Sequence, residues 1–176
     1  MRFLHHIQQD LKLFIYLHVI MMVFRWSFIA IYSGQLNHVD MHELWLAFWF
    51  GLRISLKTAA ALTAVSLLFA TIPSSFLKNW PGGRIRLIWG SISTVALSFL
   101  FMARIPYYQV FHQSYNIMLF NGMEDDKTAI WQTMVDQYQL WPRLAGCIIL
   151  AVILVYLWYR FSQTKTWAPK KDVRPI

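Results

Sequence analysis

Charge is what this sequence has least of. Only 14% of its 176 residues are charged and just eight are acidic, against about 25% charged in an ordinary soluble domain. That deficit excludes a water-soluble globular class, because 57% of the chain is hydrophobic and the charges sit between long apolar blocks. Cysteine occurs once, as Cys147, which excludes an intrachain disulfide and offers no thiolate metal pattern. The chain has no GxGxxG, P-loop, GxSxG, HExxH or CxxC, so none of the dinucleotide, phosphoryl-transfer, esterase, zinc-protease or dithiol chemistries is signalled. Internal repeats and low-complexity tracts are missing too. A cleavable leader is not indicated, since the first apolar stretch is too long and contains Arg25 where a small-residue cleavage site would be needed.

What is present is length in the apolar blocks. A helix crossing a hydrocarbon layer about 30 Å thick needs roughly 20 apolar residues, and in lipid only a structure that satisfies its own backbone groups survives. Four blocks qualify, at about 11–32, 54–72, 85–103 and 144–159. They predict an all-α, polytopic membrane protein with a helical domain over 1–161 and a basic tail over 162–176. Pro73, Pro81, Gly82 and Gly83 punctuate a short connection after the second block, and Pro142 opens the fourth, where its missing N–H does no harm.

The formal net charge of +8 would suit nucleic acid only if it formed one soluble patch; here the cations flank the spans. Arg2 and Lys12, then Lys78, Arg84 and Arg86, then Arg160, Lys165, Lys170, Lys171 and Arg174 fall on one alternating side. By the positive-inside rule that side, with both termini, is cytoplasmic, and the protein is a multi-pass resident of the cell membrane. The other two connections hold Asp40, Glu43, Glu124, Asp125, Asp126 and Asp136 and face outward.

The outward connections carry helical patterns. Asp40 and Glu43 have capping-box spacing, followed by the apolar stripe Leu44, Trp45, Phe48, Trp49 and Leu52. That helix either lies in the outer interface or runs directly into the second span. Tyr108, Phe111, Tyr115 and Met118, and then Trp131, Met134, Val135, Tyr138 and Trp141 after the acidic start Glu124–Asp126, repeat at helical spacing. Rich in Tyr and Trp, they read as amphipathic helices in the outer interface, or as a cap in which they pack on each other.

No acid falls inside the four blocks as drawn, so their cations stand out. Arg25 lies within the first span, His18 on much the same face, Arg53 and Lys57 flank the outer end of the second, and Arg104 and Arg143 sit at the outer ends of the third and fourth. A mid-bilayer charge costs about 2.5–3.5 kcal/mol on insertion scales. Such cations either snorkel to headgroups, bind backbone carbonyls, or form a site for an anionic lipid phosphate, for which Arg25, Arg53, Lys57 and Arg104 are the candidates. Gly90, Thr94 and Ser98 make a small-residue stripe suited to close helix packing. The cluster His38, Asp40, His42 and Glu43 has metal-ligand residue types without a recognised metal spacing, so no metal and no cofactor is expected in this chain.

The run Trp49-Phe50-Gly51-Leu52-Arg53-Ile54-Ser55-Leu56-Lys57 resembles the W-x-G-L-R-x-D-L opening of the second span in lipoteichoic acid synthase-like membrane sulfatases. The run Ala103-Arg104-Ile105-Pro106-Tyr107-Tyr108-Gln109-Val110-Phe111-His112 is similar to the aromatic segment after their third span, and Tyr115-Asn116, Asp125-Asp126 and Tyr138 to Pro142 follow in similar order. Ser55 and Arg104 depart from the family, which commonly has Asp at both places. The resemblance implies the membrane-embedded N-terminal region of a phosphoglycerol transferase, an enzyme that moves glycerol phosphate from phosphatidylglycerol to an envelope polymer. It also implies an extracellular alkaline-phosphatase-like domain with a threonine nucleophile and a divalent metal such as manganese. This chain contains no such domain, so no catalytic residue carries over, and it is expected to be non-catalytic alone. Membrane lipids, phosphatidylglycerol among them, are the implied partners. Two rival expectations are an accessory protein that binds a membrane-protein partner, and a small transporter, against which the lack of intramembrane acids counts.

Overall fold

The computed structural model describes residues 2–35, 40–77, 79–112, 135 and 140–164. Among them are helices α1 (Arg2–Ile31), α2 (Met41–Ser66), α3 (Ile72–Phe76), α4 (Gly82–Phe111) and α5 (Leu140–Ser162), with no strand. Four helical stretches, Phe3–Ile31, Met41–Phe76, Gly82–Gln109 and Leu140–Ser162, are long and apolar enough to cross a membrane. The protein is all-α and multi-pass.

Each helix extends past its apolar block. Asp40 caps α2, its carboxylate accepting from the His42 backbone N–H at 3.4 Å, which satisfies one orphan donor of the first turn. The stripe from Leu44 to Leu52 is therefore the start of the second span itself, not a separate surface helix. Tyr108 likewise belongs to α4, which stops where His112 takes a positive φ of 50°. The outer segment over 113–134 and 136–139, with its Tyr115, Met118, Glu124, Trp131 and Tyr138, lies outside the described residues.

The helical path also continues beyond Pro73. After α2 comes a wide π turn, Leu67–Thr71, in which the Ile72 N–H reaches back five residues to the Leu67 carbonyl. Pro73 then sits in the first turn of α3, where its missing N–H is tolerated. The carbonyl that Pro73 cannot engage, that of Phe69, is taken instead by the Trp80 indole N–H at 3.1 Å.

The chain divides into two compact units, Met1–Ser93 with Leu157–Ile176, and Thr94–Tyr156. In the first, α1 buries the stripe Asp10, Leu13, Leu17, Ile20 and Phe24, against the small-residue face Gly51, Ser55, Ala59 and Ser66 of α2. Opposite that stripe α1 exposes Leu11, Ile15, Val19, Val23 and Trp26. A helix apolar on its outer face as well as along most of its buried stripe suits lipid as its solvent. Gly90 lets the indole of the fully buried Trp158 lie on α4, since a Cβ there would stand 2.5 Å from its Nε1. That Nε1 donates to the Leu87 carbonyl at 3.2 Å. Tyr16 packs on Trp158 with ring centroids 5.2 Å apart.

In the second unit, Thr94 and Ser98 are fully buried and Ser98 Oγ bonds back to the Thr94 carbonyl at 2.8 Å. Intrahelical back-bonding of this kind satisfies a hydroxyl where no water is at hand. Pro106 lies inside α4, and an Arg143 Nη2 donates to Gln109 Oε1 at 3.3 Å.

Candidate functional site

The most polar place in the first unit is built around an acid. Asp10 lies eight residues into α1 and is only 3% exposed. The expectation that no acid lies within a span is corrected here: the helix begins at Arg2, so Asp10 is part of its buried stripe. Arg86, drawn at the edge of a connection by its charge, is the fifth residue of α4 and 4% exposed. Its Nε donates to Asp10 Oδ1 at 2.6 Å, the only salt bridge among the described residues.

Two hydroxyls complete the cluster. Ser66 Oγ donates to Asp10 Oδ1 at 2.9 Å, and Thr71 Oγ1 donates to Oδ2. Thr71 in turn accepts from Arg86 Nη2 at 2.7 Å. The ring Asp10–Arg86–Thr71 thus closes on itself, and every bond in it is charge-assisted, the shorter and stronger kind. A charge buried this deeply survives only when paired and hydrogen-bonded, and here both conditions hold.

The π turn is what brings Ser66 and Thr71 to one carboxylate. In a regular α-helix residues five apart are rotated by on the order of 140° about the axis. The wider i→i+5 turn reduces that angle and swings Thr71 onto the face of Ser66. Single π turns within helices are frequent at functional sites.

Of the cations singled out by sequence, Arg25, Arg53 and Lys57 of the first unit take no part in this cluster. Arg25, half-buried, turns inward: one Nη2 donates to the Gly51 carbonyl at 2.8 Å and to Ser55 Oγ at 3.2 Å. Of the sequence alternatives for Arg25, carbonyl binding is the one seen. Ser55 Oγ itself donates to the Gly51 carbonyl at 3.0 Å. Arg53 and Lys57 are exposed and, at two residues from Gly51 and Ser55, leave α2 on roughly the opposite side. Arg104 belongs to the second unit. His18 stacks on Phe14 at 6.3 Å. Among the described residues no group of three metal-ligating side chains gathers; His38 lies outside them.

Sequence reasoning missed Asp10 and Arg86 as site residues, although a signal existed. Arg86 precedes Gly90, Thr94 and Ser98 by one four-residue step on the same stripe, and Asp10 precedes Leu13 and Leu17 at helical spacing. No family model, no curated protein and no solved structure matches this chain.

Proposed function

We propose that the chain is the membrane-embedded module of a phosphoglycerol transferase-like enzyme of cell-envelope polymer synthesis, non-catalytic by itself, with both termini on the cytoplasmic side of the cell membrane. One observation carries the reading. The segment of α2 that resembles the sulfatase-type synthases, Trp49 to Lys57, is where Arg25 of α1 is seated, on Gly51 and Ser55. The family commonly has Asp at the place of Ser55, and a carboxylate buried there needs a cation from a neighbouring helix. Arg25 is positioned to be that cation, with a hydroxyl now accepting in place of the acid.

In this reading Arg25 ties the first span to the second, and Arg53 and Lys57, one turn apart and exposed, meet the phosphate of phosphatidylglycerol near the outer surface. The divalent metal belongs to the outward catalytic domain of a longer protein. The test is the mass of the native protein in its own cells, probed with an antibody to the segment around Asp125. A species several hundred residues longer supports the reading; a species of this chain's mass overturns it.

The buried Asp10–Arg86 pair favours a second reading, a small transporter, since intramembrane charges that pair with one another mark ion and proton pathways. Solute or proton flux in proteoliposomes that is lost in Asp10→Asn would favour it over the first.

A further inference from the structure

The ends of α1, α4 and α5 in the first unit line a half-open pocket of about 480 Å³ that none of the readings above uses. Its polar lining is His5, His6 and Gln9 from α1, Arg84 and Arg86 from α4, and Ser162 and Gln163 at the end of α5, beside Gly83 and the apolar Leu87 and Ile88. Among the described residues no Asp or Glu lines it, and the carboxylate of Asp10 is already engaged by Arg86. Two guanidinium groups and two imidazoles therefore line the pocket with no acid facing them among the described residues.

Arg86 and His6 keep hydrogen-bonding capacity to spare. Arg86 commits its Nε to Asp10 and one Nη2 N–H to Thr71, two of about five N–H donors on a guanidinium. Arg84 is exposed at the rim. The buried Nδ1 of His6 has no hydrogen-bond partner. A Cβ at Gly83 would meet nothing within 4 Å, so the backbone of the first turn of α4 is open to a ligand. The first-turn N–H groups and the positive end of that 30-residue helix add to the field. Arg86 is held rigidly by the Asp10–Thr71 ring, so its fork is oriented before any ligand arrives, which lowers the entropic cost of binding.

We propose that this pocket binds a phosphate group, presented either by the headgroup of an anionic phospholipid or by a free phosphate ester. Guanidinium forks match phosphate oxygens in pairs, and the volume lies in the range of about 300–1,000 Å³ typical of small-molecule sites, enough for a phosphate and the alcohol it esterifies. The site stands on the geometry of the first unit and is independent of the transferase reading.

The test uses the full chain purified in a neutral detergent. Binding is followed by tryptophan-detected thermal unfolding and by native mass spectrometry, with phosphatidylglycerol, phosphatidylcholine and inorganic phosphate as separate probes. One retained adduct and a raised midpoint with phosphatidylglycerol above the phosphatidylcholine baseline assigns the lipid headgroup. The same response to inorganic phosphate alone assigns the free ester. In either case Arg84→Gln and the pair His5→Gln with His6→Gln weaken binding by at least about tenfold, as expected for losing a charge-assisted hydrogen bond. Arg84 is exposed, so its variant keeps the test readable even if Arg86→Gln does not fold. No response to either probe, or an affinity unchanged in Arg84→Gln, overturns the proposal.

Discussion

Replacing Asp10 by Ala should be the most damaging single change in the first unit. It strands the Arg86 guanidinium, 4% exposed, with no counter-charge, and removes the acceptor of both the Ser66 and the Thr71 hydroxyl. Interhelical hydrogen bonds in membrane proteins are individually weak, averaging about 0.6 kcal/mol. Three of them lost together would cost about 2 kcal/mol. Removing one partner of a buried ion pair costs more, about 3–5 kcal/mol, because the remaining charge is uncompensated. The larger figure is the expectation. The double change Asp10→Leu with Arg86→Met removes both charges and should recover most of that loss, since apolar replacements of buried pairs are often neutral or stabilising. Asp10→Asn, which keeps one acceptor oxygen, should fall between. Equilibrium unfolding in mixed micelles of rising denaturing-detergent fraction measures these proteins together with the single variants Asp10→Leu and Arg86→Met. A single-variant cost below about 1 kcal/mol, or a double variant as damaging as the sum of its singles, would refute the reasoning.

Two further changes probe the helix contacts. Gly90→Ala places a Cβ 2.5–2.9 Å from the Trp158 indole, a rigid and fully buried ring, so it should cost about 1–3 kcal/mol, together with a red shift of tryptophan emission; an unchanged midpoint would contradict the packing. Gly51→Ala overlaps the Arg25 guanidinium, whose Nη1 stands against the new Cβ. Because that is the far end of a flexible side chain, the expected loss is only the Gly51 bond, about 0.5–1.5 kcal/mol. Arg25→Met should then add little on the Gly51→Ala background, and full additivity in the same unfolding assay would count against the contact.

The sequence by itself determined the four spans, because a run of about 20 apolar residues has only one stable form in lipid. It also determined the Asp40 cap, a local matter of one side chain and the next backbone N–H groups. The stripe of Gly90, Thr94 and Ser98 was readable as a packing face for the same local reason. What it did not settle was where α1 begins, since Arg2 to Asp10 looks like a polar flank until it is seen to continue as helix. Boundary placement decided everything about Asp10: outside the helix it is a solvated loop acid, inside it faces Arg86 from across 76 residues of chain.

Only tertiary structure decided the partners. That Arg25 turns inward to Gly51 while Arg53 and Lys57 leave on the other side of α2 depends on which helix faces which. The π turn at Leu67–Thr71 depends on it as well, because no residue there requires a wide turn by its own propensity. The bonds of Ser66 and Thr71 to a carboxylate on another helix reward it. A side chain's periodicity comes from its own neighbours in sequence, whereas its counter-charge lies on another helix, and that half of the site exists only once the helices have packed.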